Sequence, residues 1–378
     1  MKRVLPVVKD FFRRADMPLF VLCCICAVFG IVLISSATAS YETPRYIVVQ
    51  TGAFIIGIGL FAALTVIDLD ILADKWPLLF LFAIGLALLL IPFGDASGGN
   101  KGWLRFLGIG IQPSEVIKVI FIVLMAKHIS YLKEFKKLNS PLSLLQVAAH
   151  FGFFFVLIVL VSDDLGSALV FLSIVLTMLF AAGLGFYWFI LGAAAVALVA
   201  PFLWTNFLRA DQKLRILAPY VPDIDLAGDT VTWQANQSKI ALASGQLTGT
   251  GLFEGTQSQS TAIPEKHTDF IFAVAGEELG MVACCIIILL LMLVAFRCFY
   301  IGVKSRNTMS MLVCFGVGAV ILFQTFINTG MCMGITPVIG ITLPFFSYGG
   351  SSTFVLFAAM GLVSGVRYRP KPEMFRRY

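Results

Sequence analysis

Long apolar runs recur along this chain from one end to the other, and they constrain its fold more than any other feature. Each run has at least about 18 residues, the length that a helix needs to cross a hydrocarbon layer roughly 30 Å thick. Apolar residues make up 59% of the chain and charged residues only 13%, which is about half the charged share of a soluble globular protein. We therefore expect an all-α polytopic membrane protein, because lipid offers backbone polar groups no partner outside a helix.

Hydropathy divides the chain into about ten membrane-spanning helices, which we take as a single membrane domain over residues 1–378. The first run is longer than the apolar part of a cleaved signal peptide, about 7–15 residues, so we expect it to remain as a span. A tail of residues 1–17 precedes the first span, and a tail of residues 367–378 follows the last. The predicted spans are 18–38, 46–66, 76–92, 113–130, 146–162, 165–183, 186–204, 270–300, 310–332 and 350–366.

The basic residues predict the orientation, because cytoplasmic segments of membrane proteins are enriched in Lys and Arg. With the N-terminus inside, 18 of the 27 basic residues are cytoplasmic, 8 are outside, and Lys118 lies within the fourth span. Both termini are therefore expected in the cytoplasm. Residues 205–268, between spans 7 and 8, become a long extracytoplasmic loop, and the glycine-rich loop 93–112 lies on the same side.

The sequence also excludes some function classes. The net charge of +6 follows the predicted topology, so it does not indicate a nucleic-acid partner. The chain contains neither a phosphate-binding P-loop nor a dinucleotide-binding fingerprint. Chemistry on the outer face cannot use cytosolic ATP directly, so its energy must arrive with the substrate or from an ion gradient.

An unusual group of ionisable residues lies in the stretch "IPEKHTDFIFAVAGEELG", residues 263–280. Because the apolar residues from Gly280 to Tyr300 already suffice for a span, we expect Glu277 and Glu278 near the outer interface. The residues from 269 to 276 would form an amphipathic or re-entrant piece. Asp269 has two open interpretations, a helix cap favoured by the helix dipole or a working carboxylate facing a lipid-linked head group.

Four segments carry a family resemblance: "NKGWLRFLGIGIQPSEVIK", "QSKIALASGQLTGTGL", "EGTQSQSTAIPEKHTDFIFAVAGEELG" and "LPFFSYGGSS". They resemble the signature segments of the SEDS family (shape, elongation, division and sporulation; also called FtsW/RodA/SpoVE), which are bacterial membrane proteins. The resemblance runs from the first span to the last. The "GTQSQ" segment and the short tails resemble members that act in cell elongation more than those that act in division.

The resemblance implies a peptidoglycan glycosyltransferase. Such an enzyme polymerises lipid II into glycan strands at the outer face of the bacterial cytoplasmic (inner) membrane, during cell elongation and cell-shape maintenance. The β-1,4 link forms with inversion, and undecaprenyl pyrophosphate leaves. The implied partners are lipid II, a class B penicillin-binding protein with transpeptidase activity, and other elongation-complex proteins. Two alternatives stay open, a lipid II flippase or transporter and a non-catalytic scaffold for a penicillin-binding protein.

The resemblance also assigns roles to residues. Asp269 matches the family position of the general base, which would take the proton of the acceptor hydroxyl. Arg105 and Lys239 occupy motif positions and are the first candidates to bind the pyrophosphate, followed by Lys101 and Lys266. A guanidinium suits paired phosphate oxygens better than a point charge does.

Further candidates lie nearby. Glu115 and Lys118, one turn apart in the fourth span, either bind substrate or lock the helix as an ion pair. Trp103 either packs on a sugar or anchors the chain at the interface, and His267 is a candidate substrate contact.

No cofactor is certain. A divalent cation, Mg or Mn, is an open possibility, with Asp269 and Asp164 as candidate ligands and His267 as a further member of the cluster. Asp164 has a second open role, which is to orient a helix end. Ser347 and Ser351, in "SYGGSS", are expected to satisfy backbone groups rather than to perform chemistry.

Overall fold

The computed structural model describes residues 11–41, 43–95, 102–106, 109–206, 208–221, 231–260, 262–305 and 307–368. These parts of the chain form a bundle of long helices with short helices between them. In chain order the helices are α1 (Met17–Ala37), α2 (Arg45–Val66), α3 (Leu69–Asp74), α4 (Trp76–Leu88), α5 (Leu90–Phe93), α6 (Pro113–Phe135), α7 (Pro141–Ser162), α8 (Leu165–Ala182), α9 (Phe186–Asn206), α10 (Ala210–Leu217), α11 (Val231–Ser244), α12 (Thr256–Gln259), α13 (Ile271–Lys304), α14 (Thr308–Met333) and α15 (Gly350–Tyr368).

The helices confirm the predicted class, an all-α polytopic membrane protein. Within the described ranges, nine helical segments are long and apolar enough to cross a membrane, α4 and α5 counting together as one. The predicted fourth span corresponds to α6, which has 23 residues and carries ionisable side chains that include Glu115, Lys118 and Lys127. Most of α6 is buried inside the bundle, so helices rather than lipid surround Glu115 and Lys118, whereas Lys127 is half-buried.

Polar side chains begin several of these helices by accepting hydrogen bonds from backbone N–H groups that the first turn leaves free. Asp16 caps α1, Ser140 caps α7, Asp164 caps α8 and Asn307 caps α14. These caps fix where each helix starts.

Helix α13 is broken at Gly280, whose φ of 76° and ψ of −177° fall in a region that only glycine adopts readily. A Cβ at this position would lie 2.4 Å from the carbonyl oxygen of Leu247. The loop after α11 repairs the break, because the N–H groups of Thr250 and Gly251 donate to the carbonyls of Glu277 and Glu278 at 2.9 and 3.0 Å. The predicted re-entrant piece is thus a short helical segment before the break, and the longer part of α13 follows it.

Two loops contain more regular structure than the sequence predicted. The glycine-rich loop forms a small antiparallel sheet of β1 (Gly94–Asp95), β2 (Trp103–Phe106) and β3 (Ile109–Ile111). The predicted long loop 205–268 contains α10, α11 and α12. Helix α11 packs against α13 and α14, so this segment covers one end of the bundle.

Candidate functional site

Several helix ends and loops meet at one end of the bundle, which we call the site end. Gln112, just before α6, donates its side-chain amide to Asp164 at 3.2 Å and its backbone N–H to Ser351 of α15 at 3.1 Å. The backbone N–H of Tyr348 donates to the carbonyl of His267 at 2.8 Å. The site end thus combines the starts of α6, α8, α13 and α15, most of which carry residues predicted from the sequence.

The backbone of Asp269 is held from α14. The side-chain amide of Asn328 donates to the carbonyl of Asp269 and to that of Ile341, both at 2.7 Å. Ser347 donates to the carbonyl of the preceding residue, Thr268, at 2.5 Å, and its oxygen accepts from Leu343 N–H at 2.8 Å. The prediction that Ser347 satisfies backbone groups is therefore confirmed, and Ser351 acts in the same way on Gln112.

The carboxylate of Asp269, by contrast, has no partner among the described residues. None of them forms a hydrogen bond or ion pair with it, and it does not cap α13, which starts at Ile271 without a side-chain cap. The helix-cap interpretation of Asp269 is therefore wrong. One carboxylate oxygen faces Gly340, where an added Cβ would lie 3.5 Å from it.

The surroundings of Asp269 favour its protonated form. Burial, followed by the nearby charges of Glu265 and Asp164, raises the pKa of Asp269 to about 7, while the charge of Arg215 acts in the opposite direction. Protein surrounds the carboxylate, yet part of the side chain still reaches the surface of the site. A carboxyl group with a pKa close to neutral is suited to exchange protons in this range.

His267 packs in an aromatic cluster. Its ring centroid lies 5.7 Å from that of Tyr41, 5.0 Å from Tyr46 and 5.5 Å from Tyr348. Burial lowers the pKa of His267, and its Nδ1 has no hydrogen-bond partner among the described residues. The ring is therefore a neutral aromatic group, which can support the Asp269 loop by packing.

Glu277 and Glu278, which we expect near the outer interface, are both buried inside the protein, and their depth in the membrane stays a prediction. Glu277 accepts from the backbone N–H groups of Gln257 and Ser258 at 2.8 and 2.7 Å and from the Ser258 hydroxyl. Glu278 accepts from the Ser36 hydroxyl at 2.5 Å and from the Gln259 amide at 2.9 Å. Hydrogen bonds compensate for the burial of these charges, so both glutamates hold the loop against α1 and α13.

Lys266 is not available as a surface cation. Its side chain is buried, and its Nζ donates to the carbonyls of Ser258 and Ser260 at 2.6 and 3.0 Å and to the Ser40 hydroxyl at 2.9 Å. These three bonds fix the loop that precedes Asp269. The expectation that Lys266 could meet a phosphate is therefore corrected.

Glu115 and Lys118 form a buried ion pair at 2.7 Å on α6. Next to them, Asp164 accepts from the Ser167 N–H at 2.8 Å and from the Ser167 hydroxyl at 2.6 Å. Burial raises the pKa of Asp164, and the charge of Lys118 opposes this effect. The pair and Asp164 thus form a connected polar layer beneath the site end, and Asp164 does orient the start of α8 as one of its two predicted roles.

The predicted phosphate-binding cations differ in their surroundings. Arg105, on β2, is exposed but pairs with Asp95 of β1 at 2.8 Å. Lys239, on α11, is exposed, and its side chain lies over Gly334. Trp103 is half-buried against Gly110 of β3. Lys101 lies outside the described residues.

A metal site receives limited support. Within the described ranges, no group of three or more His, Cys, Asp or Glu side chains is placed to hold a metal ion. The charges of Asp164 and Asp269 act on one another, but both oxygens of Asp164 already accept hydrogen bonds. Such a pair fits only a cation that takes most of its ligands from water and phosphate, as Mg²⁺ does.

Two residues of the site end were not predicted from the sequence. Asn328 is a polar residue inside the apolar α14, and an amide buried in a span is a signal that could have identified it. Arg215 lies in the long loop, where its sequence neighbours give no sign of proximity to Asp269.

The fold and the site define a class of protein. It is a polytopic helical membrane protein, and at one end of its bundle lies a carboxylate that forms no hydrogen bond or ion pair with any described residue. Residues 16–371 match the family described as "Cell cycle protein" (FTSW_RODA_SPOVE). The chain belongs to this family.

Individual relatives agree with this family assignment. The chain is 34% identical over 302 residues, 79% of each chain, to the peptidoglycan glycosyltransferase MrdB of Escherichia coli K12. It is 32% identical over 382 residues, 96% of each, to the probable peptidoglycan glycosyltransferase FtsW of Trichlorobacter lovleyi.

Solved structures are similar as well. One is a chain from work described as "Structural coordination of polymerization and crosslinking by a peptidoglycan synthase complex". Its TM-score is 0.79 at 27% identity, covering 93% of this chain and 97% of the other. The rod shape determining protein RodA of Thermus thermophilus gives a TM-score of 0.67 at 25% identity, covering 93% and 96%.

Proposed function

We propose that the protein is a peptidoglycan glycosyltransferase that polymerises lipid II into glycan strands during cell elongation. The observation that carries the proposal is the carboxylate of Asp269, which lacks a partner among the described residues and has a pKa of about 7. The names of the relatives support the same activity. Asp269 then acts as the general base, taking the proton of the acceptor hydroxyl as that oxygen attacks the anomeric carbon.

The other residues of the site end act on the substrate. Arg105 and Lys239, both exposed, bind the negative charge of the pyrophosphate, which grows as the glycosidic link forms. Trp103 packs against the substrate beside them. The pair of Glu115 and Lys118 holds the start of α6 in position, because a buried charge pair has one preferred arrangement.

A divalent cation, Mg or Mn, is a further element of the proposal. Asp269 and Asp164 would hold it, with the remaining ligands supplied by water and by the substrate phosphates. The chemistry it supplies is neutralisation of phosphate charge.

We place the protein in the bacterial cytoplasmic (inner) membrane, with both termini in the cytoplasm and the site end outside. Support comes from the excess of basic residues at the opposite end.

Glu254, an exposed residue before α12, tests this placement. A Glu254→Cys variant should react with an impermeant maleimide in intact cells, and a Lys136→Cys variant only after lysis. The reverse pattern would overturn the orientation.

The proposed partner is a class B penicillin-binding protein, together with other elongation-complex proteins. The similarity to a chain of a peptidoglycan synthase complex supports it. Such a partner would crosslink the strands that this protein makes.

The decisive experiment is incubation of the purified protein with lipid II, with and without the partner, followed by analysis of glycan length. A polymerase converts lipid II to long glycan, whereas a flippase or a scaffold leaves it unchanged. A flippase would instead move lipid II between leaflets of proteoliposomes. If no glycan forms under conditions in which lipid II crosses the bilayer, the polymerase proposal is wrong.

A further inference from the structure

A segment of the long loop crosses the site end and is tied down on both sides. We call residues 208–221 the strap; it contains the eight-residue helix α10. At its start, Arg209 forms an ion pair with Asp163 at 2.8 Å. Near its end, the Tyr220 hydroxyl donates to the carbonyl of Ile335 at 3.2 Å. The strap therefore has a fixed position although its helix is short.

The two anchors belong to the elements that flank Asp269. Asp163 immediately precedes Asp164, whose charge acts on Asp269. Ile335 begins the loop in which Gly340 lies against the Asp269 carboxylate. Arg215 lies between the anchors, and its charge also acts on Asp269. The strap thus places the charge of Arg215 close enough to the site end to act on the Asp269 carboxylate.

Most other cations near this end are already engaged. Lys266 is held by two carbonyls and a hydroxyl, and Lys118 is paired with Glu115. Arg105, although exposed and proposed above to bind phosphate, shares its guanidinium with Asp95. Arg215, however, is exposed and forms no hydrogen bond or ion pair with any part of the chain that the structure describes. Its five N–H donors remain available to a ligand.

We propose that Arg215 binds the pyrophosphate of the lipid-linked substrate at the site end. This inference rests on the proposed function, because it assumes that a polyprenyl pyrophosphate occupies the site. A guanidinium binds two phosphate oxygens at once and keeps its charge at any physiological pH. From the strap it neutralises the charge that gathers on the leaving group, at the same end of the bundle as the carboxylate that takes the acceptor's proton.

The test is direct binding of undecaprenyl pyrophosphate and undecaprenyl monophosphate to the purified full-length protein in detergent. We expect Arg215→Ala to weaken binding of the pyrophosphate about 10–100-fold, the range for loss of a charge-assisted contact, and to weaken the monophosphate less. Arg215→Lys should keep part of the affinity, since charge remains while the paired contact is lost. Lys213→Ala, on the same helix, is the matched control and should bind like the wild type.

A purely structural role of Arg215 predicts a different result. Loosening the strap would change both lipids equally, and Tyr220→Phe, which removes an anchor, would reproduce it. An unchanged preference for the pyrophosphate in a folded Arg215→Ala protein overturns the inference, whether or not the protein polymerises lipid II. Failure of the wild type to form glycan, with Arg215-dependent binding intact, would instead refute the polymerase function alone.

Discussion

Two aspartates at opposite ends of the bundle show what surroundings do to one kind of side chain. Asp16, before α1, is fully buried and accepts from Arg297 at 3.0 and 2.8 Å and from Arg367 at 2.8 Å. It also caps α1 through the N–H of Leu19 at 3.0 Å. Burial alone would raise the pKa of Asp16, but the hydrogen bonds from both arginines lower it overall.

Asp269 is the opposite case. It precedes α13 without capping it, and burial and neighbouring carboxylates raise its pKa to about 7. Both oxygens of Asp16 are committed to holding α1, α13 and α15 together, whereas no described residue engages those of Asp269. A carboxylate with all its partners stabilises a fold, and one without them is free to react.

The largest expected effect comes from removing the reactive carboxylate. Asp269→Asn keeps the size of the side chain but cannot accept the proton of the acceptor hydroxyl, and losing a positioned base costs about 10²–10⁴-fold in rate. Stability should not fall, and at neutral pH and above it should rise, because burial disfavours the ionised carboxylate and no described residue bonds to it. The measurements are glycan formation from lipid II and thermal unfolding. Near-normal polymer from the folded variant would remove Asp269 from the mechanism.

The same substitution at the other aspartate should have the reverse effect. Asp16→Asn keeps the helix cap but leaves Arg297 and Arg367 without their counter-charge. Breaking a buried pair costs about 3–5 kcal/mol, and we expect the lower end because the two arginine side chains are 24% and 49% exposed. Thermal unfolding in detergent measures this loss. The rate per folded molecule should be normal, and a stable but inactive Asp16→Asn protein would contradict the comparison.

Glu277 is an intermediate case, because it lies close to the site but its carboxylate oxygens already accept hydrogen bonds. Glu277→Gln keeps one acceptor oxygen but loses charge-assisted bonds to α12, so we expect a loss of about 1–3 kcal/mol. Activity should fall only as far as the loop becomes disordered. A protease-protection assay on the loop, run beside the glycan assay, distinguishes a disordered loop from a direct loss of catalysis. If the loop stays intact and the rate still falls as far as expected for the loss of a general base, the catalytic role belongs to Glu277 instead.

The smallest effect concerns pH. Asp269 accepts a proton only when ionised, so in assays without added divalent cation its pKa of about 7 predicts a rate that rises as pH increases through that value and levels off above it. Glu265→Gln removes a negative charge that raises the pKa of Asp269. The acidic limb of the profile should therefore move to lower pH. A profile that is flat around neutrality, or one that Glu265→Gln does not move, would refute this assignment.

Much of the fold could be predicted from the sequence. The predicted spans coincide with helices to within a few residues, and Gly280 marks a break next to the predicted re-entrant piece. Asp269, Asp164, Glu115 and Lys118 were all candidates from the sequence, and all four lie at the site end or in the polar layer beneath it. The small sheet was not predicted, because its strands have only two to four residues and no alternation to recognise.

The membrane class, the spans and the family follow from the order of residues along the chain. Transfer into lipid is a sum over consecutive residues, so a run of apolar side chains specifies a span without reference to distant parts of the chain. Which charged groups have partners depends on how distant parts of the chain pack together. Glu278 accepts a hydrogen bond from Ser36, 242 positions away, and the charge of Arg215 acts on Asp269 from a strap that is anchored on two other elements. A carboxylate's role depends on its partners, and packing brings those partners together from separate parts of the chain.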